Sequence, residues 1–145
     1  MALKVIQFSP KSCFEGIAGE TILEGQLVGC STGTTTNFYL ADSDATLDGT
    51  HANQAIGVAV ANAASGDALA VAPVCMVENS AVSSQAAGDL LYLGATAGLP
   101  VRAAPTGTTN IQAVGIALTA TKIAYNIAPT ALKLQASGNS TVAYI

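Results

Sequence analysis

Any acid–base relay in this chain would have to use His51, its one histidine. Acid–base, nucleophilic and metal catalysis need titratable groups gathered in one place. His51 lies in the polar stretch Asp48-Gly49-Thr50-His51-Ala52-Asn53, and nothing adjacent supports a Ser-His-Asp or Cys-His arrangement, so it reads as a surface-loop residue. Cys13, Cys30 and Cys75 are odd in number and share no C-x-x-C spacing. A secreted disulfide framework or a zinc site would show an even, clustered set. They read as inert buried thiols. Asp42, Asp44 and Asp48 form the densest acidic cluster. An EF-hand loop wants ligands at positions 1, 3 and 5, Gly at 6 and Glu at 12. Counting from Asp42, the third Asp falls at position 7, Gly49 at 8 and Asn53 at 12, so a solvated loop is the better reading and a loose cation site the other.

The remaining motifs are polar turns. Thr32-Gly33-Thr34-Thr35-Thr36-Asn37 and Thr106-Gly107-Thr108-Thr109-Asn110 are candidate glycan loops, and Phe38 and Tyr39 offer the first an aromatic platform. No Walker or dinucleotide glycine pattern is present. Gly25-Gln26-Leu27-Val28, Gly66-Asp67 and Gly88-Asp89 resemble lipoyl-type barrels, but Lys122 is the only lysine in the body of the second module, 74–129, and has no acidic residue beside it in sequence. These observations predict a protein that is not an enzyme, with no catalytic residues, cofactor, metal or small-molecule substrate.

The elements that position these residues are small-residue strands. The 145 residues include 28 Ala, 14 Gly, 15 Thr and 10 Ser, against 3 Phe, 4 Tyr and no Trp, which suits turn-rich β structure rather than an aromatic-lined pocket. Only 10% of residues are charged, against about 25% in an ordinary soluble domain. A surface so poor in charge is either coated with Thr, Ser, Asn and Gln or covered by partners. The net charge of −4, with Lys4, Lys11, Arg102, Lys122 and Lys133 scattered, argues against nucleic acid. The apolar stretch 68–77 is too short to span a bilayer, and residues 1–15 lack the apolar core of a signal peptide, so synthesis in the cytoplasm and no membrane partner are expected.

Alternation at Val58/Val60 and Leu69/Val71, with apolar runs at 90–93, 116–118 and 123–127, predicts many short strands punctuated by Gly and Pro. A short helix at 81–87 is the best helical candidate. The chain also repeats itself. Ala55-Ile56-Gly57-Val58-Ala59-Val60 matches Ala113-Val114-Gly115-Ile116-Ala117-Leu118 at an offset of 58. Ala68–Pro73 matches Ala124–Pro129 at 56, and Glu24–Val28 matches Ala87–Leu91 at 63. The expected fold is mostly β: two related small β-barrel or β-clip-like modules in one protomer. The first module covers 16–73 and the second 74–129, with its core at 83–129. Residues 1–15 are expected as an extended arm, and 130–145 as a C-terminal strand or tail. Two readings of the arm stay open. Leu3, Lys4, Val5, Ile6 and Phe8 add a strand to a neighbouring protein's sheet, or they form the first strand of the chain's own.

The series Ala87-Gly88-Asp89-Leu90-Leu91-Tyr92, Gly98-Leu99-Pro100-Val101 and Ala113-Val114-Gly115-Ile116-Ala117-Leu118 resembles phage head-decoration (cement) proteins. Ala18-Gly19-Glu20-Thr21-Ile22 with Gly25-Gln26-Leu27-Val28 resembles their β-clip or β-tulip opening. The resemblance spans about residues 16–129 and brings no catalytic residues. It implies a β-rich protomer, a homotrimer, seated on the outer capsid surface of the virion and clamping the major capsid protein, with Leu3, Lys4, Val5, Ile6 and Phe8 as the capsid contact. The other function class in view is a head-fibre or tail adhesion module binding host glycan through the Thr-rich loops.

Overall fold

Strands form where the period-2 pattern places them, and glycine turns join them. A computed structural model describes residues 3–30, 37–43, 52, 54–79, 85–103, 110–128, 132–134 and 142–144. Chain order is β1 (Leu3–Phe8), a 3-10 turn (Pro10–Ser12), β2 (Phe14–Ile17), β3 (Leu27–Cys30), β4 (Phe38–Leu40), β5 (Gly57–Ala59), β6 (Ala68–Ala72) and β7 (Val74–Asn79). Then come β8 (Leu90–Leu93), β9 (Pro100–Val101), β10 (Asn110–Ile111), β11 (Ala113–Ala117), β12 (Lys122–Asn126), β13 (Leu132–Leu134) and β14 (Val142–Tyr144). The chain is mostly β, as its alternation predicts. Of the expected helix at 81–87, residues 81–84 lie outside the described set, and 86–89 form a turn.

The repeat is visible in the sheets themselves. One sheet has the order β2-β6-β5-β3-β4, and the other β1-β7-β12-β11-β8-β9, which is the same order with β1 added. Ladder partners make the equivalence residue by residue. Leu27 opposes Val58 as Leu90 opposes Ile116. Val58 opposes Ala72 as Ile116 opposes Ala124, and Ala59 opposes Val71 as Ala117 opposes Ile123. The offsets of 63 and 58 hold for β3/β8 and β5/β11. For β6/β12 the structural offset is 52 (Ala72 to Ala124), not 56, because the β11–β12 connection is shorter than the β5–β6 one. The slip of four is even, so each residue keeps the face that the sequence comparison assigned it.

One turn recurs four times, at 23–26, 64–67, 86–89 and 96–99. In each, the fourth N–H donates to the first carbonyl at 3.0–3.2 Å, and the third residue is Gly25, Gly66, Gly88 or Gly98, with φ between +82° and +93°. That is a type II turn, which requires a residue free to adopt positive φ. In three of them the fourth side chain (Gln26, Asp67, Asp89) also accepts from the first N–H, at 2.8–3.0 Å. The Gly-Asp and Gly-Gln pairs are thus turn chemistry.

Two cores result. The first lies between the sheets: Leu27, Val58 and Ala72 of the five-stranded sheet meet Cys75, Val77, Leu91, Leu93, Val114, Ile123 and Tyr125 of the six-stranded one. The second lies on the other face of the five-stranded sheet, around Ile22, Val28, Phe38, Ala59, Leu69 and Val71. There the parallel bridge Ala18–Phe38 brings β2 and β4, the sheet's two edges, together. Adjacent residues such as Leu27 and Val28 are therefore both fully buried, one in each core. Gln112 ties the halves together: its Nε2 donates to Ala55 O and Ala128 O, each at 2.8 Å, and its Oε1 accepts from Ala55 N at 2.7 Å.

The arm divides. Leu3–Phe8 is an edge strand of the chain's own six-stranded sheet, antiparallel to β7, and Phe14 and Glu15 open β2. Of the two readings of residues 1–15, the structure gives the second. The cause is Leu3 and Val5, which pack onto the core between the sheets. The C-terminal β13 and β14 join β10 in a separate three-stranded sheet.

Candidate interaction surface

The five residues picked as a contact arm separate by burial. Leu3 and Val5 turn inward. The Val5 N–H, on the edge away from β7, donates to Glu24 Oε2 at 2.8 Å, so the turn at 23–26 covers that part of the edge. Lys4, Ile6 and Phe8 are exposed, Ile6 at a bulge in the β1–β7 ladder. Phe8 lines an open groove of about 540 Å³ with Gln7, Val74, Met76, Ala124 and Tyr125.

Cys75 is buried at this end of the sheet, and burial, with Cys13 nearby, pushes its thiol up to about 12. Burial also raises the Tyr125 hydroxyl. Both groups stay protonated in the fold at pH values where the unfolded chain would lose those protons. Their contribution is fully present below about pH 9 and declines above it, at about 1.4 kcal/mol per pH unit for each group past its ordinary value. Urea midpoints measured at pH 7, 9, 10 and 11 are expected to be level up to 9 and then fall. Cys75→Val is expected to shallow the fall.

The wider surface is the outer face of the six-stranded sheet. Register places Leu90, Ile116, Ala124 and Met76 in one row across β8, β11, β12 and β7. Beside it on the same face runs a charged row, Lys122, Glu78 and Lys4. On the other side Val101 pairs with Tyr92. Leu90, Ile116 and Leu118 are 45%, 48% and 42% exposed. Arg102 bridges Asp89 at 3.2 Å on the rim next to Val101 and Leu90. An apolar band crossing four of the six strands and bordered on one side by charge is suited to contact with another protein.

Other sequence candidates fall elsewhere. His51, Asp44, Asp48 and nearly all of both Thr-rich turns lie outside the described residues, and Asp42 is buried. Among the described residues no group of three His, Cys, Asp or Glu is placed to hold a metal. Phe38 fills the second core and so is no glycan platform, while Tyr39 is half-buried. The three thiols do not share one environment: Cys75 is buried, Cys13 half-buried, and Cys30, at the end of β3, exposed. Lys122 opens β12 opposite Glu78, a carboxylate that sequence proximity does not reveal. The apolar band escaped the sequence reading, although its signal was there: Leu90 and Ile116 are repeat partners of Leu27 and Val58 and have the same apolar character.

No helix among the described residues is long and apolar enough to cross a membrane. No family model matches the chain, and no curated protein matches it.

Proposed function

We propose that this protein is a non-enzymatic structural component that decorates the outer surface of a phage capsid and stabilises the lattice of the major capsid protein. The observation that supports this reading is the exposed apolar face of the six-stranded sheet, on a chain with only 10% charged residues. A stable β unit with broad apolar surface gains free energy by covering that surface with other protein. The capsid as partner, the homotrimer and the location on the virion come from the resemblance in 16–129. Lys4, Ile6 and Phe8 are the shell contact in this reading; Leu3 and Val5 are not, because they belong to the chain's own core.

The test is co-sedimentation with expanded, undecorated shells of the major capsid protein encoded in the same genome. Saturable pelleting is expected, together with a higher melting temperature of the shell, since a ligand of the assembled state stabilises it by mass action. Ile6→Glu is expected to weaken pelleting at least tenfold. Protein that stays in the supernatant at every concentration would overturn the reading. Deleting residues 1–9 is not a usable test, because it removes β1 from the sheet.

A further inference from the structure

Two of the three thiols share a corner of the fold, although the sequence holds Cys13 and Cys75 far apart. β1 pairs with β7 in the six-stranded sheet, and β2 pairs with β6 in the five-stranded one. Both strand pairs therefore cross between the sheets at one place, where residues 9–13 join β1 to β2 and Pro73 joins β6 to β7. On one side of the corner Phe8 opposes Cys75, and on the other Phe14 opposes Val71. Cys13 is extended, with φ −77° and ψ 145°, and continues the second ladder toward Ala72. Its Sγ donates to Ser9 O at 3.5 Å, which places the thiol beside the residue that follows Phe8. Cys75 and Ala72 belong to the core between the sheets, and Cys13 packs against that core. Ser12, the neighbour of Cys13, lines the same groove as Cys75. We propose that Cys13 and Cys75 are the two halves of a reversible disulfide that staples this corner.

The two thiols take different parts. Cys13 is half-buried and is reached first; Cys75 is buried and resolves the intermediate. The oxidant is a low-molecular-weight disulfide. The Cys13 thiolate attacks one of its sulfurs, a mixed disulfide forms, and one small thiol leaves. Cys75 then loses its proton and attacks the Cys13 sulfur, so that the Cys13–Cys75 bond forms and the second small thiol leaves. Two protein thiols are oxidised and one small disulfide is reduced to two thiols, which carry away the protons. Burial holds Cys75 protonated, so closure is slower than capture. Cys30, exposed at the end of β3, takes no part. This inference is independent of which protein the chain packs against.

The experiment treats the folded full chain carrying Cys30→Ser with oxidised glutathione at about pH 8, quenches it with acid, and cleaves it after glutamate. Cys13 and Cys75 then fall on different peptides, 1–15 and 25–78. The expected products are a chain lighter by two hydrogens and these two peptides joined, separating again on reduction. In glutathione redox buffers the ratio of closed to open chain is expected to be at least tenfold higher for the folded protein than in urea, because the fold raises the effective concentration of one thiol at the other. Fragmentation of the joined peptides from the wild type, which distinguishes Cys75 from Cys30, gives the same assignment without a variant. A folded chain that stops at a glutathione adduct on Cys13 overturns the proposal. So does one that leaves both thiols unmodified while Cys30 of the wild type reacts, or one that closes no better than the unfolded chain.

Discussion

Gln112→Ala is expected to lower the stability of the fold by about 4 kcal/mol, because truncation leaves buried backbone groups without partners, at about 1–3 kcal/mol each. The side chain is 2% exposed and satisfies both the N–H and the C=O of Ala55, which is itself fully buried, as well as the carbonyl of Ala128. Ala55 leads into the five-stranded sheet and Gln112 into β11 of the six-stranded one, so this amide does between the halves what a ladder does within a sheet. Gln112→Leu fills the volume but is expected to cost nearly as much, since the lost partners, not the cavity, set the penalty. Gln54, its repeat counterpart, is half-buried, and Gln54→Ala is expected to cost under about 1 kcal/mol. Urea denaturation of the three variants checks the order. Equal midpoints for Gln112→Ala and Gln54→Ala would show that the bridge between the halves carries no stability.

Gly115→Ala and Gly57→Ala are expected to destabilise by about 3 kcal/mol each, the upper part of the range for forcing a methyl into a packed interior. Both glycines stand at the same place in the repeat, where a neighbouring strand passes too close for a side chain. A Cβ on Gly115 would run into the carbonyl oxygen of Ala124 and lie 3.1 Å from Tyr125 Cα. On Gly57 it would lie 2.9 Å from the carbonyl carbon and oxygen of Ala72 and 2.5 Å from Val71 Cγ1. These obstacles are largely backbone, so relief requires separating β11 from β12, or β5 from β6. Gly66 and Gly88 are the contrast: a Cβ there meets nothing within 4 Å, and only the positive φ resists it. Gly88→Ala is expected to cost about 1 kcal/mol. Thermal melts of the variants separate steric from conformational glycines; a Gly115→Ala that melts with the wild type would contradict the close approach.

The strands around Val58, Leu69, Leu90, Ile116 and Ile123 were legible because side-chain alternation is a local property with a period of two. The repeat was legible because both copies keep Gly at 57 and 115, where the strands crowd, and at 25 and 88, where the type II turn needs positive φ. Its register between β6 and β12 was not, because Ala-rich segments match each other at several offsets and only hydrogen-bonded partners choose among them. Nor could the sequence decide between an arm and an edge strand for residues 3–8, since both are extended and alternate alike.

What the sequence by itself determined is therefore the β class, the duplication and the poverty of ionisable groups, all of which live in residue type and short-range spacing. What only the tertiary structure decided is the destination of each apolar row. Leu27 and Leu90, or Val58 and Ile116, are interchangeable as letters, yet one of each pair is buried between sheets and the other faces solvent. Burial depends on which distant strand packs over a face, and that is settled by contacts across the chain rather than by the residues beside them.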